Sequence, residues 1–311
     1  MKTIVPDYYP DFRCIAGACR HSCSIGWEID IDEDTRQLYR EIPGEIGRRL
    51  SEQIDDSGEV PCFSLDERER CPFLNGEGLC DIILQLGEGA LCQICADHPR
   101  FRSFFSDRTE MGLGLCCEAA ADLILRRTEP VRFTVLEDDG ETESLTDWER
   151  TVLAEREGYI RLAQDRTLSA KERMERIAVL PPYSFAQWTE ILLRLEQMDP
   201  AWGELLRRTA EQEQCAAISD TAEEQLLVYF LFRHLPDAVD LDDLYARAAF
   251  AVVSTQIIAG LAARLPETDL REIARLYSSE IEYSEENTEA LLAILRGAAD
   301  AHFDKNKSHK Q

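Results

Sequence analysis

Lysine is scarce in this chain. Five lysines (Lys2, Lys171, Lys305, Lys307 and Lys310) stand against 29 arginines. Codon bias accounts for the imbalance, though an enzyme that modifies lysines also has reason to carry few of its own. Basic residues of both kinds, 34 in all, are outnumbered by 60 acidic ones. The resulting net charge of −26 disfavours non-specific binding to nucleic acid or to an anionic membrane, and would attract a basic partner. The opening Met-Lys-Thr-Ile-Val-Pro lacks an apolar h-region, and no stretch approaches the roughly 18 continuous apolar residues of a membrane span. The expectation is a soluble, cytoplasmic protein with no nucleic-acid and no membrane partner. No G-x-G-x-x-G follows a strand pattern, which leaves no visible Rossmann-type site. Internal repeats and low-complexity tracts are also missing. Finally, the 194 residues after Cys117 contain one cysteine, Cys215.

The other ten cysteines lie between Cys14 and Cys117, in groups: Cys14, Cys19 and Cys23; Cys62, Cys71 and Cys80; Cys92 and Cys95; Cys116 and Cys117. A chain of 311 residues buries a full core without crosslinks. An odd total of eleven, in a reducing compartment, favours metal ligation over disulfides.

Taken in order, residues 1–13 read as an extended, aromatic-rich entry broken by Pro6 and Pro10. A helix from Ala18 to Ile25 would place Cys19 and Cys23 on one face. Gly26 to Asp32 alternates as a short strand or extended arm. Asp32 or Asp34 then caps a helix toward Leu50 that Pro43 and Gly44 interrupt. Residues 55–70 are polar loop, and Cys71 to Cys80 is a tight turn containing glycine, with a thiol at each end. A short helix starts near Asp81, and a second carries Cys92 and Cys95 on one face and stops before Pro99. Leu113 to Arg127 is helix-forming in composition. Adjacent side chains on a helix diverge by about 100°, so only one of Cys116 and Cys117 should face a shared site. Val131 to Leu136 reads as a strand, and apolar periodicity from Thr146 onward predicts a bundle of about seven helices. The fold class is therefore mainly α with minor β. An N-terminal cysteine-rich metal-binding domain of short helices and loops (1–128) precedes a C-terminal helical domain (129–311) ending in a disordered tail at 305–311.

A four-thiolate shell serves zinc and iron-sulfur clusters alike. Only Cys92 and Cys95, and loosely Cys19 and Cys23, have the spacing of a zinc knuckle. The first cysteine group has spacings of four and three residues, where the radical S-adenosylmethionine signature requires three and two; no barrel-like strand-helix alternation accompanies it. The thiols could hold one cluster with spares, or two metal centres.

Five dispersed segments then carry a resemblance. They are Cys14-Ile-Ala-Gly-Ala-Cys19-Arg-His-Ser-Cys23-Ser-Ile-Gly-Trp27, Cys71-Pro-Phe-Leu74 with Cys80, Leu91-Cys92-Gln-Ile-Cys95-Ala-Asp-His-Pro99-Arg100, Leu115-Cys-Cys117-Glu-Ala-Ala, and Tyr277-Ser-Ser-Glu280-Ile-Glu282-Tyr283-Ser-Glu-Glu-Asn287. Together they resemble the flagellin lysine N-methylase family over nearly the whole chain, and the N-terminal half is similar to the zinc- or iron-chelating C-x-x-C-x-x-C-C domain. The resemblance implies a protein-lysine N-methyltransferase of the bacterial flagellum. It would act on flagellin, with S-adenosyl-L-methionine as methyl donor and a cysteine-ligated iron-sulfur cluster of the 4Fe-4S type, zinc being the alternative. The implied metal ligands are Cys14, Cys19, Cys23, Cys71, Cys80, Cys92, Cys95 and Cys117, which leaves Cys62, Cys116 and Cys215 as bystanders. Ser24 departs from the pattern, which often has a second adjacent cysteine there.

Methylation of lysine needs a neutral amine, although the reference pKa is about 10.4. Carboxylates and tyrosyl hydroxyls suit that task, and the distal segment supplies Tyr277, Glu280, Tyr283 and Asn287 as catalytic candidates. Tyr229 and Arg233 are candidates for binding the donor's carboxylate. Each has an ordinary alternative. The tyrosines could be core residues with wet hydroxyls, Glu280 and Glu282 a solvated face, and Arg233-His234 a helix C-terminal pair before Pro236. Two readings from other classes stand beside the enzyme: a non-enzymatic zinc- or iron-chelating interaction module, and an iron-sulfur redox protein.

Overall fold

The structure is a computed structural model that describes residues 1–140, 143–210, 212 and 217–308. Strand β1 (Lys2–Pro6) opens the chain and is followed by helices α1 (Glu33–Glu41) and α2 (Gly44–Glu52). Short strands β2 (Ile54–Asp55) and β3 (Cys62–Phe63) come next, then α3 (Asp81–Leu86) and α4 (Gln93–Asp97). Strands β4 (Arg100–Phe105) and β5 (Arg108–Leu113) precede α5 (Glu118–Leu125), β6 (Phe133–Asp138) and α6 (Asp147–Ala163). The remaining helices are α7 (Ala170–Ile177), α8 (Phe185–Arg194), α9 (Pro200–Ala210), α10 (Asp220–His234), α11 (Leu241–Arg264), α12 (Leu270–Tyr277) and α13 (Glu285–Ser308). The fold is mainly α with minor β, as composition and periodicity predicted. Eight helices follow Thr146 among the described residues, against about seven anticipated from the apolar period. Of the expected tail at 305–311, residues 309–311 lie outside the described residues, as does Cys215.

The chain forms two compact units that are discontinuous in sequence. The larger comprises residues 1–12, 101–116 and 120–311, and the smaller residues 13–100 with 117–119. In the larger unit the sheet order is β4-β5-β1-β6, with β1 parallel to β5 (Thr3 opposite Thr109) and antiparallel to β6 (Ile4 opposite Val135). The entry segment expected to be merely extended is thus an interior strand. The β4–β5 hairpin was not anticipated, and it corrects the helix expected from Leu113: that residue ends β5, and the helix begins only at Glu118. Gly112 allows this arrangement, because a methyl built on it would lie 2.2 Å from the Phe101 ring across the hairpin.

Helices α10 and α11 form the centre of the larger unit. Leu226 to Phe232 and Leu244 to Ala263 are buried almost all the way round. Helix α11 is long and apolar enough to cross a membrane by composition, but 78% of that stretch is buried inside the protein. Core helices of this length satisfy the same test.

In the smaller unit, Asp32 accepts a hydrogen bond from the Thr35 N–H (2.9 Å) and starts α1, and Pro43 separates α1 from α2, as read from the sequence. Its core gathers Ile29, Ile31, Tyr39, Leu50, Phe63 and Phe73 around Cys71 and Cys92, with Cys80 and Cys95 packed against them. The helix expected over Ala18 to Ile25 does not form. A single 3-10 turn at Ala16–Ala18 gives way to irregular turns, since Gly17 presses its backbone against the Asn75–Gly78 turn and a methyl there would lie 2.8 Å from the Glu77 carbonyl.

Candidate functional site

In the smaller unit the thiols gather in two groups of four that adjoin, since Cys23 of one is near enough to Cys95 of the other to help raise it. Backbone pairing brings their carriers together. The Cys71 N–H donates to the Ser24 carbonyl at 2.9 Å, the Gly26 N–H to Glu69 at 3.0 Å, and Leu74 bridges Cys80 across the turn. Asp32 joins two more carriers, since its other carboxylate oxygen accepts from the Gln93 N–H at 2.8 Å beside Cys92. Burial acts to raise the Asp32 carboxyl, and these N–H donors outweigh it and hold it low.

The first group is Cys71, Cys80, Cys92 and Cys95. Burial pushes the Cys71 thiol up to about 11, and Cys80 and Cys92 add to that. Cys95 and Cys92 share a hydrogen bond that holds Cys92 low and raises Cys95. The second group is Cys14, Cys19, Cys23 and Cys117. The Cys19 thiol donates to the His21 carbonyl at 3.1 Å and lies 3.7 Å from Glu118, which pairs with Arg20 at 2.8 Å. Cys23, although exposed, is pushed up to about 11 by the low-dielectric protein behind it and then by Cys14, Cys117 and Cys19. Together the two groups hold the eight cysteines that the resemblance nominated, all as free thiols. Cys62 stands apart beside Glu28, and Cys116 belongs to the larger unit. Among the described residues, no three His, Cys, Asp or Glu side chains are closed to metal-ligand geometry. The donor sets therefore have the right number and softness for a four-thiolate shell, and the side chains are gathered without being closed.

The larger unit holds a second concentration of polar chemistry. Glu282 ends a π-helical turn, Ser278–Glu282, between α12 and α13, and its side chain has no exposed surface. Its carboxylate takes hydrogen bonds from the Tyr229 hydroxyl (2.9 Å) and contacts His234 Nε2 (2.7 Å) and Arg233 Nε (3.2 Å). Arg233 Nη1 donates to the Tyr229 oxygen at 2.8 Å, and the Leu115 N–H to that same oxygen at 3.1 Å. The Arg233 guanidinium lies 5.0 Å from the centres of both the Phe101 and Tyr283 rings. A methyl built on Gly114 would meet the Tyr283 hydroxyl at 2.7 Å, Arg233 at 3.1 Å and the Cys116 sulfur at 3.3 Å. Burial works to raise the Glu282 carboxyl, while Arg233 and His234 hold it below the usual carboxylate range. Burial also lowers His234, against the pull of Glu282. Tyr283 leads outward: its residue surface is 48% exposed, whereas its hydroxyl points in toward Gly114 and Cys116.

Of the six catalytic and donor-binding candidates, Tyr229, Arg233 and Tyr283 come together here. Tyr277 is elsewhere, fully buried with its hydroxyl 2.8 Å from Ser254. Glu280 accepts from the Met198 N–H (2.9 Å) and the Asp199 N–H (2.5 Å) ahead of α9. Asn287 bonds both the Glu196 carbonyl (3.0 Å) and the Glu280 carbonyl (2.7 Å). These last two tie the connection before α9 to the π turn. The solvated face suggested for Glu280 and Glu282 is corrected, because both side chains are buried. Glu282, His234 and Gly114 were not anticipated as members of the cluster. The cue available in sequence was the second acid of Glu280-Ile-Glu282.

Fold and thiols together describe a mainly helical, cysteine-rich protein. Over 128 residues the chain is 28% identical to a lysine-N-methylase of Salmonella choleraesuis and likewise to a lysine-N-methylase of Salmonella typhimurium, a stretch that is 39% of this chain and 31% of each relative. It is 27% identical over 128 residues to the flagellar biosynthetic protein FliU of Salmonella muenchen, covering 75% of that protein. The chain spans about a third (31%) of the length of the two methylases it matches. These relatives support the resemblance to flagellin lysine N-methylases, over a shorter stretch than the nearly full chain expected. No family model and no solved structure matches.

Proposed function

We propose that the protein is a lysine N-methyltransferase that modifies flagellin in the bacterial cytoplasm, with S-adenosylmethionine as methyl donor and cysteine-ligated iron-sulfur. The observation that carries this reading is the 128-residue similarity to proteins named lysine-N-methylase, which a flagellar relative accompanies. The two groups of four free thiols support the metal half. Cys71, Cys80, Cys92 and Cys95 would form one shell, and Cys14, Cys19, Cys23 and Cys117 the other. Transfer of a methyl cation equivalent to nitrogen moves no electrons between metal and substrate, so iron-sulfur here would organise the smaller unit.

When bound, S-adenosylmethionine supplies an electrophilic sulfonium methyl. The protein's own task is to present lysine as the free amine, because the ammonium has no lone pair with which to attack. Tyr283 suits the surface side of that task. Its ring offers an apolar bed for the lysine methylenes, and loss of water against that bed disfavours the ammonium and so favours the neutral amine. Glu282, having no exposed surface, acts through Arg233 and Tyr229 as a positioning residue. The amine lone pair forms the new C–N bond as the C–S bond breaks, and the lysine proton is lost to solvent. Incubating flagellin with the protein and methyl-labelled donor, followed by peptide mapping, tests the proposal. Label on lysine side chains is the expected result, and a metal-loaded preparation that transfers none contradicts it.

A further inference from the structure

The larger unit contains a cavity of about 280 Å³ between α8, the N-terminal part of α10 and the C-terminal part of α11. Its aromatic wall is Tyr183, Phe185 and Trp188, with Tyr183 and Trp188 edge to face at 5.3 Å. The floor is made of small residues. At Gly260 an added methyl would lie 2.4 Å from the Phe185 ring, so that ring packs directly against the helix backbone. Two opposite charges line the same space, Glu223 and Arg264. The Arg264 guanidinium sits 3.9 Å from the Phe185 ring centre, and one of its nitrogens donates to the Gly260 carbonyl at 3.0 Å, which fixes its direction. Neither residue makes an ion pair with any described residue, and the two do not pair with each other. Burial, then the neighbouring Asp220, pushes the Glu223 carboxyl above its usual range, while Arg173 pulls the other way.

An unpaired carboxylate calls for a cation and a fixed, unpaired guanidinium for an anion, while aromatic walls suit a flat or apolar remainder. A lone ammonium would leave Arg264 unanswered, and a lone carboxylate would leave Glu223 unanswered. We propose that this cavity binds the zwitterionic end of an α-amino acid, its carboxylate on Arg264 and its ammonium on Glu223, with the remainder of the molecule against Tyr183 and Trp188. Two sources share that chemistry: a free amino acid, and a nucleoside that carries an amino-acid tail, as the methyl donor does.

Calorimetric titration of the full chain separates them. The probes are L-methionine and S-adenosylhomocysteine, with adenosine and N-acetylmethionine amide as comparators lacking the zwitterion. At least one zwitterionic probe should bind, and Glu223→Gln and Arg264→Gln should each weaken it at least about tenfold, with heat-unfolding curves showing that both variants fold. S-adenosylhomocysteine binding far more tightly than methionine assigns a nucleoside ligand; equal binding assigns a free amino acid. Failure of both to bind, binding that both variants leave unchanged, or equal binding of the comparators overturns the assignment. Because the cavity claim does not depend on methyl transfer, a null titration beside intact flagellin methylation overturns it alone.

Discussion

Glu282 carries a full charge with no exposed surface, and Arg233, His234 and Tyr229 are what make that tolerable. Glu282→Gln should therefore destabilise the protein by about 3 to 5 kcal/mol in urea unfolding, mostly through the Arg233 charge it leaves buried. Both titrating members are displaced downward, so each contributes stability above its unfolded pKa and loses it as the pH falls through its folded one. Urea midpoints should therefore decline first below about pH 6.5, as His234 is protonated more readily in the unfolded chain, and again below about 4.3 from Glu282. His234→Gln should shrink the first decline without abolishing it, because burial also holds His98 down to about 4 and that residue loses stability over the same range. Tyr283→Ala, which removes the ring proposed to bed the lysine methylenes, should lower the rate of methyl transfer, whereas Tyr277→Phe should cost about 1 kcal/mol by leaving Ser254 unpaired. Sequence nominated Tyr229 and Arg233 together, as candidates for the donor's carboxylate, and on α10 they stand four apart with the Arg233 Nη1 on the Tyr229 oxygen. It concealed Glu282, because a π turn widens the register after Tyr277 and carries into the cluster a side chain that an ordinary helical period places elsewhere.

At the level of elements, the sequence was most legible where a single residue type imposes a boundary. The helix cap read as Asp32 or Asp34 falls on Asp32, and the Pro43 break and the turn from Cys71 to Cys80 form where they were read. It was least legible where backbone contacts across the fold outweigh local propensity. Leu113 to Cys117 has helix-forming neighbours, but β5 pairs with β1 and the Gly112 backbone is packed under Phe101. The Cys14 to Cys23 stretch likewise follows contacts with the Asn75 turn rather than its own period. Asp32 shows how one residue links elements: it caps α1 and also holds the Gln93 N–H that starts α4. Asp32→Ala should cost roughly 1 to 2 kcal/mol, and bound metal should leave more readily because Cys92 loses its anchor. Chelator-induced release followed by absorbance checks this, and release as slow as in the parent protein would contradict it.

Across the whole molecule, the thiols explain the lopsided cysteine distribution, since the eight gathered side chains all belong to the smaller unit. Cys116 and Cys117 are neighbours in sequence that join different units, which accounts for the one-of-two expectation without the helix that motivated it. Two shells predict about twice the metal of one. Cys92→Ser and Cys19→Ser should each lower metal content, and Cys62→Ser should leave it unchanged, as read by elemental analysis of anaerobic preparations. An iron-sulfur protein should also be brown, and a colourless zinc preparation with full methyl-transfer activity would remove iron from the account. The net charge of −26 gives long-range attraction to basic partners. That bears on encounter with flagellin, whereas the chemistry rests on the claim of methyl transfer to lysine. The most direct test is the intact mass of flagellin after incubation with metal-loaded protein and S-adenosylmethionine, run beside flagellin whose lysines have been acetylated beforehand. The account predicts added mass in steps of about 14 Da on native flagellin and none on the acetylated control. Unchanged mass on the native protein, or equal gains on both, would contradict it.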